Sequence, residues 1–287
     1  MMSALARNAW GLIYETFNEW MSDRASRKGA ALAFYTVFSL APILILSIAI
    51  AGLFFGEEAA SGEIFQQVKG LLGDDAAAAV QAMIKNASEP GAGVVATLIG
   101  LVTLLIGATT ALAELKDGLD QIWDAPPDKT QGFLYFLRKR FLSVGLILSL
   151  GFLLLVSLVF SALLSAVARR WGPADPTGLV LQAVNFIISF ALVTLLFAMI
   201  YKILPAVRIA WRDVIIGSVI TAALFSVGKA LIGLYLGNSA VASTYGAAGS
   251  VILVLLWVYY SAQIFLFGAE FTKVFAYRYG SKREKAR

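Results

Sequence analysis

Five stretches of this chain contain no charged residue at all: Ala30 to Phe55, Gly91 to Ala113, Phe141 to Ala168, Pro176 to Tyr201 and Ala230 to Ala269. A further apolar run, Val214 to Leu236, is interrupted only by Lys229. An α-helix rises 1.5 Å per residue, so about 20 apolar residues cross the roughly 30 Å hydrocarbon core of a bilayer. Every run reaches that length. The last is long enough to hold a turn as well, and Gly237-Asn238-Ser239 through Tyr245-Gly246 supply the helix breakers. The expectation is an all-α polytopic membrane protein with six transmembrane helices, near 30–55, 91–113, 141–168, 178–203, 214–236 and 247–270. Together these form one transmembrane domain over residues 30–275.

Composition points the same way. Hydrophobic residues make up 59% of the 287 and charged ones only 14%, against about 25% charged in soluble domains. Cysteine and histidine are both absent. Their absence removes disulfides, thiolate nucleophiles, Cys/His zinc sites and histidine general bases. No catalytic residues, metal or cofactor are expected, and the chain reads as something other than an enzyme.

Lysine and arginine set the orientation, because they collect in cytoplasmic loops. The N-terminal segment, the second and fourth loops and the C-terminal tail together hold 18 of the 23, and the opposite loops hold four. Both termini are therefore expected in the cytoplasm, with residues 276–287 as a basic tail. The net charge of +5 follows from this sidedness, and no nucleic acid partner is expected.

Residues 1–29 read as an amphipathic helix at the inner interface. Trp10, Ile13, Tyr14, Phe17, Trp20 and Met21 recur at helical spacing, which suits either a brace for the bundle or a membrane-sensing element. The loop from Glu57 to Pro90 carries Ile64, Phe65, Val68, Leu71 and Leu72, then an alanine-rich stretch after Asp74-Asp75. It reads as a short helical extracytoplasmic cap.

Polar groups in lipid are costly and mark where helices meet or ligands bind. Gly93, Gly100 and Gly107 recur every seven residues and lead to Glu114, giving a face for close helix contact. Gly233 and Gly237 make a second small-residue pair. Ser226 and Lys229 share a stripe on helix five, Tyr260 and Gln263 lie on helix six, and Gln182 and Asn185 on helix four. Those six residues are the candidate intramembrane polar site. Lys229 either binds an anion within the bundle or snorkels to the outer headgroups. Glu114 and Glu270 are candidate carboxylates at the inner interface, where such charges are mostly structural. Phosphate-binding glycine loops are absent around Gly228-Lys229, so any work done by the protein draws on a gradient or a partner.

Several segments carry a family resemblance. Gly29 through Pro42, Leu204-Pro205 with Trp211-Arg212-Asp213-Val214, Tyr245 through Ser250, Leu256 through Gln263, and Gly268-Ala269-Glu270 closely resemble the YihY/BrkB family of bacterial inner-membrane proteins, over nearly the whole chain. Phe34 stands where a second tyrosine is expected, and Ala206 where an acidic or polar residue is common. The resemblance implies six transmembrane helices and a plasma-membrane location. It also brings an old ribonuclease BN label, a link to serum resistance, and a link to movement of a lipid A precursor. A chain without histidine cannot build the zinc cluster such a nuclease needs, and Asp117, Asp120, Asp124 and Asp128 sit beside many cations. The resulting expectation is a non-ATP-driven transporter or flippase of an anionic lipid-like substrate, with membrane lipids as partners and scope for homo-oligomers. The alternatives are a structural or assembly factor of the cell envelope, and a gated channel.

Overall fold

The computed structural model describes residues 2–56, 58, 61–62, 65–66, 69, 77–78, 80–82, 110–126, 176–238 and 249–283. The expected spans 141–168 and most of 91–113 lie outside the described residues, as do Gly93, Gly100, Gly107, most of the 57–90 loop, the turn after helix five, and residues 284–287. Among the described residues all regular structure is helical: α1 (Met2–Ser22), α2 (Ala25–Phe55), α3 (110–122), α4 (Pro176–Ile203), α5 (Trp211–Asn238) and α6 (Gly249–Arg278). Three of these contain segments long and apolar enough to cross a membrane: Ala183–Ile203, Trp211–Ile232 and Val251–Arg278.

The centre of the bundle is α6, which packs on α1, α2 and α5, while α4 packs on α5. Side-chain pairs give the register. Phe197 and Phe225 rings meet at 5.8 Å, and the Tyr201 and Thr221 hydroxyls at 3.2 Å, so α4 and α5 run antiparallel. A Cβ added to Gly217 would overlap Thr272, and one added to Gly268 would overlap Thr221, so α5 and α6 also run antiparallel. Helices α2 and α6 do likewise, since Ser26 and Gly29 meet Gln263 while Ala33, Val37 and Leu44 further along α2 cluster with the earlier α6 residues Leu253, Val254 and Val258.

Small residues dictate these close crossings. In lipid no hydrophobic force pushes helices together, so association depends on backbones approaching within van der Waals contact. The α5–α6 crossing uses one pattern twice: Gly217-x-x-x-Thr221 faces Gly268-x-x-x-Thr272, each glycine receiving the other helix's threonine. Both threonines donate to the carbonyl four residues back, that of their own motif's glycine, at 2.7 Å. The Tyr201 hydroxyl donates to the Phe265 carbonyl at 2.7 Å, which ties α4 to α6 across α5. On α2, Ala25, Gly29, Ala33 and Val37 step by four and are all buried, giving the narrow face that α6 needs.

Helix α6 continues to Arg278, eight residues past the end at 270 that the charge of Glu270 and Lys273 suggests. The extra turns exist because other elements cover them. Leu119, Ile122 and Trp123 at the end of α3 join the same buried cluster as Ala269 and Ala276. Asp213 at the start of α5 accepts hydrogen bonds from the backbone N–H (3.1 Å) and hydroxyl (2.6 Å) of Ser281.

The amphipathic segment ends earlier than expected, at Ser22. Arg24 adopts a left-handed conformation (φ 52°, ψ 40°) and separates α1 from α2. Helix α1 meets the bundle along a mixed face, with Thr16 buried and Trp20 packed against the core, flanked by pairs of Glu15 with Arg278 at 2.9 Å and Glu19 with Lys273 at 3.5 Å. Trp10, Ile13, Tyr14, Phe17 and Met21 are all at least 49% exposed.

Candidate functional site

Two features stand out in the space around α6. The first is an open groove of about 370 Å³ between α1, α5 and α6. Phe17 and Trp20 form its α1 wall, with their rings stacked at 5.8 Å. Leu224, Val227 and Leu231 form the α5 wall, and Ile264 and Phe267 continue it on α6. Its floor is Gly228, where any larger residue would collide with Ile264 and approach Tyr260. The lining is almost wholly apolar. Its polar members are Tyr260 and Gln263, together with the indole N–H of Trp20. The Gln263 amide lies over Gly29 and donates to the Ser26 carbonyl at 3.5 Å. Its Oε1 and the Trp20 Nε1 are both buried without a hydrogen-bond partner.

The second feature is a set of charges buried where α1, α2, α3 and α6 converge. Glu270 is 0% exposed and neither carboxylate oxygen has a hydrogen-bond partner. Asp23 Oδ2 and Lys28 Nζ are likewise buried and unpartnered. Lys273 is committed, holding Asp124 at 2.8 Å and Glu19 at 3.5 Å. Burial pulls the Lys28 ammonium below the ordinary lysine range, against the opposing attraction of Asp23 and Glu270. Asp23 and Glu270 thus share the enclosed region with Lys28 and Lys273, and Glu19 and Asp124 meet Lys273 from solvent, their side chains 43% and 74% exposed.

The six residues of the expected intramembrane site are not gathered together. Tyr260 and Gln263 share the groove. Lys229 is exposed; at about 100° per residue it lies roughly 150° around α5 from the groove-lining positions. The α4–α5 register puts Lys229 level with Val193, about 12 Å along the axis from Asn185. Asn185 itself is half-buried on α4, and the side chain of Gln182 lies outside the described residues. The Ser226 hydroxyl donates to the Ala222 carbonyl at 2.8 Å and so is spent within its own helix. Of the interface carboxylates, Glu114 is half-buried on α3 and Glu270 is fully enclosed. Gly233 and Gly237 lie in the last turns of α5.

Reading the sequence missed Glu19, Asp23, Asp124 and Lys28 as members of a site. Glu15, Glu19 and Asp23 do repeat every four residues along the polar side of α1 and just past its end, a spacing that solvent exposure also produces.

Comparison with known proteins places the chain. The profile of a family described as virulence factor BrkB matches residues 16–287. A UPF0761 membrane protein of Pseudomonas aeruginosa is 29% identical over 88% of this chain and 59% of its own length. Counterparts in Stenotrophomonas maltophilia and Alkalilimnicola ehrlichii are 26% and 27% identical, each over 92% of this chain and 60% and 58% of their own lengths. The chain therefore spans less than two thirds of these relatives. No solved structure matches it.

Proposed function

The chain belongs to the virulence factor BrkB family of membrane proteins, and from that premise we propose that it moves an anionic lipid across the bacterial inner membrane without ATP. In this reading the chain has six spans, both termini are cytoplasmic, and the exposed apolar face of α1 rests on the inner leaflet. The observation that carries the proposal is the groove. It is apolar, open, bounded by two helices long enough to cross a membrane, and walled on its α1 side by the aromatic pair Phe17 and Trp20. Aromatic rings of that kind favour the headgroup level. A lipid acyl chain has the right chemistry for such a seat, and the few polar atoms at Tyr260, Gln263 and Trp20 suit the ester region above it. The preference for an anion rests on Lys229, an exposed ammonium within the apolar part of α5 that lies on the face turned away from the groove and so would meet a headgroup outside it.

The test is transfer of a fluorescent phosphatidylglycerol between leaflets of liposomes holding the purified chain. The chain should accelerate transfer, and Leu231→Trp, which fills the groove from an exposed position, should slow it several-fold. Lys229→Ala should slow the anionic probe more than a neutral phosphatidylcholine probe. If the filled groove transfers lipid as fast as the original, the seat is wrong; equal effects of Lys229→Ala on both probes would remove the lysine from the mechanism.

A further inference from the structure

We propose that Glu270 and Asp23 form a proton-binding carboxyl pair that controls how closely α1 is held against α6. Ionised carboxylates are acceptors only. Two of them facing a protein interior leave their oxygens unpartnered, which is the state of both Glu270 oxygens and of Asp23 Oδ2. One proton turns one group into a donor and lets the pair share a short, charge-assisted hydrogen bond. The two carboxyl groups lie within hydrogen-bonding reach of each other.

The hydrogen-bond balance calls for that proton. Among the described residues the charged groups around the pair are Lys28 on α2 and Lys273 on α6, while Glu19 on α1 and Asp124 after α3 reach Lys273 from solvent, their side chains 43% and 74% exposed. Neither ammonium bonds to the pair. Lys273 is already divided between Asp124 and Glu19, and Lys28 reaches no acceptor. A buried carboxylate with no donor takes a proton rather than keep its charge. A metal is not the substitute, since no group of three acidic side chains suited to a metal ion occurs among the described residues.

The pair sits at a joint. Asp23 precedes the left-handed Arg24 that separates α1 from α2, and α1 carries Phe17 and Trp20 into the groove. With one proton shared, α1 is drawn to α6. With the proton lost, two buried negative charges repel across the joint and α1 swings out. Proton binding stands independently of the lipid reading; only its consequence for the groove rests on it.

Infrared difference spectra of the full chain in lipid nanodiscs test the pair directly. A protonated-carboxyl C=O band should disappear as pH rises, be absent in Glu270→Gln, and be altered in Asp23→Asn. A band unchanged by both variants, or none in the original chain, overturns the site. Spin labels at Asn8→Cys and Arg283→Cys, clean because the chain has no cysteine, should move apart as the band disappears. Labels that hold their distance overturn the control of α1. Both readouts are independent of lipid transfer, so failure of the groove reading is seen separately.

Discussion

The α4–α5–α6 seam and the charged end of α6 bury polar groups in opposite ways. In the seam, Tyr201, Thr221 and Thr272 each have a hydrogen bond, and the hydroxyls fit against glycines on the facing helix. At the charged end, Asp23, Lys28 and Glu270 are enclosed with atoms that bond to nothing. Satisfied hydroxyls at a close crossing hold helices in one arrangement. Enclosed, unsatisfied charges raise the energy of the arrangement they sit in, and persist where a second state is within reach. The difference assigns stability to the seam and change to the charged end.

Three substitutions can break or sharpen that contrast. The largest effect should come from Gly268→Leu, which drives a side chain into Tyr201 and Thr221 and forces α5 from α6. Over-packing of this kind costs about 3 kcal/mol, and the unfolding midpoint in detergent should fall by several degrees. A midpoint that stays put would mean the seam is slack. Glu270→Gln should act in the opposite sense. At a pH where the shared proton has been lost it removes an enclosed charge that has no hydrogen-bond donor, and should raise stability by about 1 kcal/mol; a clear loss there would show that the carboxylate is structurally needed. Arg278→Ala breaks a partly exposed pair with Glu15. It should cost about 0.5 kcal/mol or less, and the cost should shrink as salt is added.

The all-helical class and, among the described residues, three apolar helices of membrane-crossing length were legible in the sequence because lipid imposes length and apolarity on anything that crosses it. Helices α4 and α5 begin and end within a few residues of the expected limits, and Leu204-Pro205 follows the end of α4 at Ile203. The site was less legible. The repeated Gly-x-x-x-Thr motif means little until α5 and α6 are known to be antiparallel neighbours, because its logic lies in the match between two helices. Lys229 shares a stripe with Ser218 and Ala222, both 0% exposed, yet that burial ends before the stripe reaches the lysine. Periodicity reports a direction around a helix and leaves open how far along the axis a neighbour extends. Glu19 and Asp23 were hidden for a related reason: on an amphipathic helix, charges opposite an apolar face are what solvent exposure alone would produce.

Gln263 and Glu270 are seven residues apart on α6, two turns along one stripe of a helix with 3.6 residues per turn. The first lines the groove and the second lies in the charged end. A twist of α6 about its own axis must therefore swing both side chains through the same arc. In mechanical terms α6 is a shaft with two cams set at one angle, and neither can be turned while the other stands still.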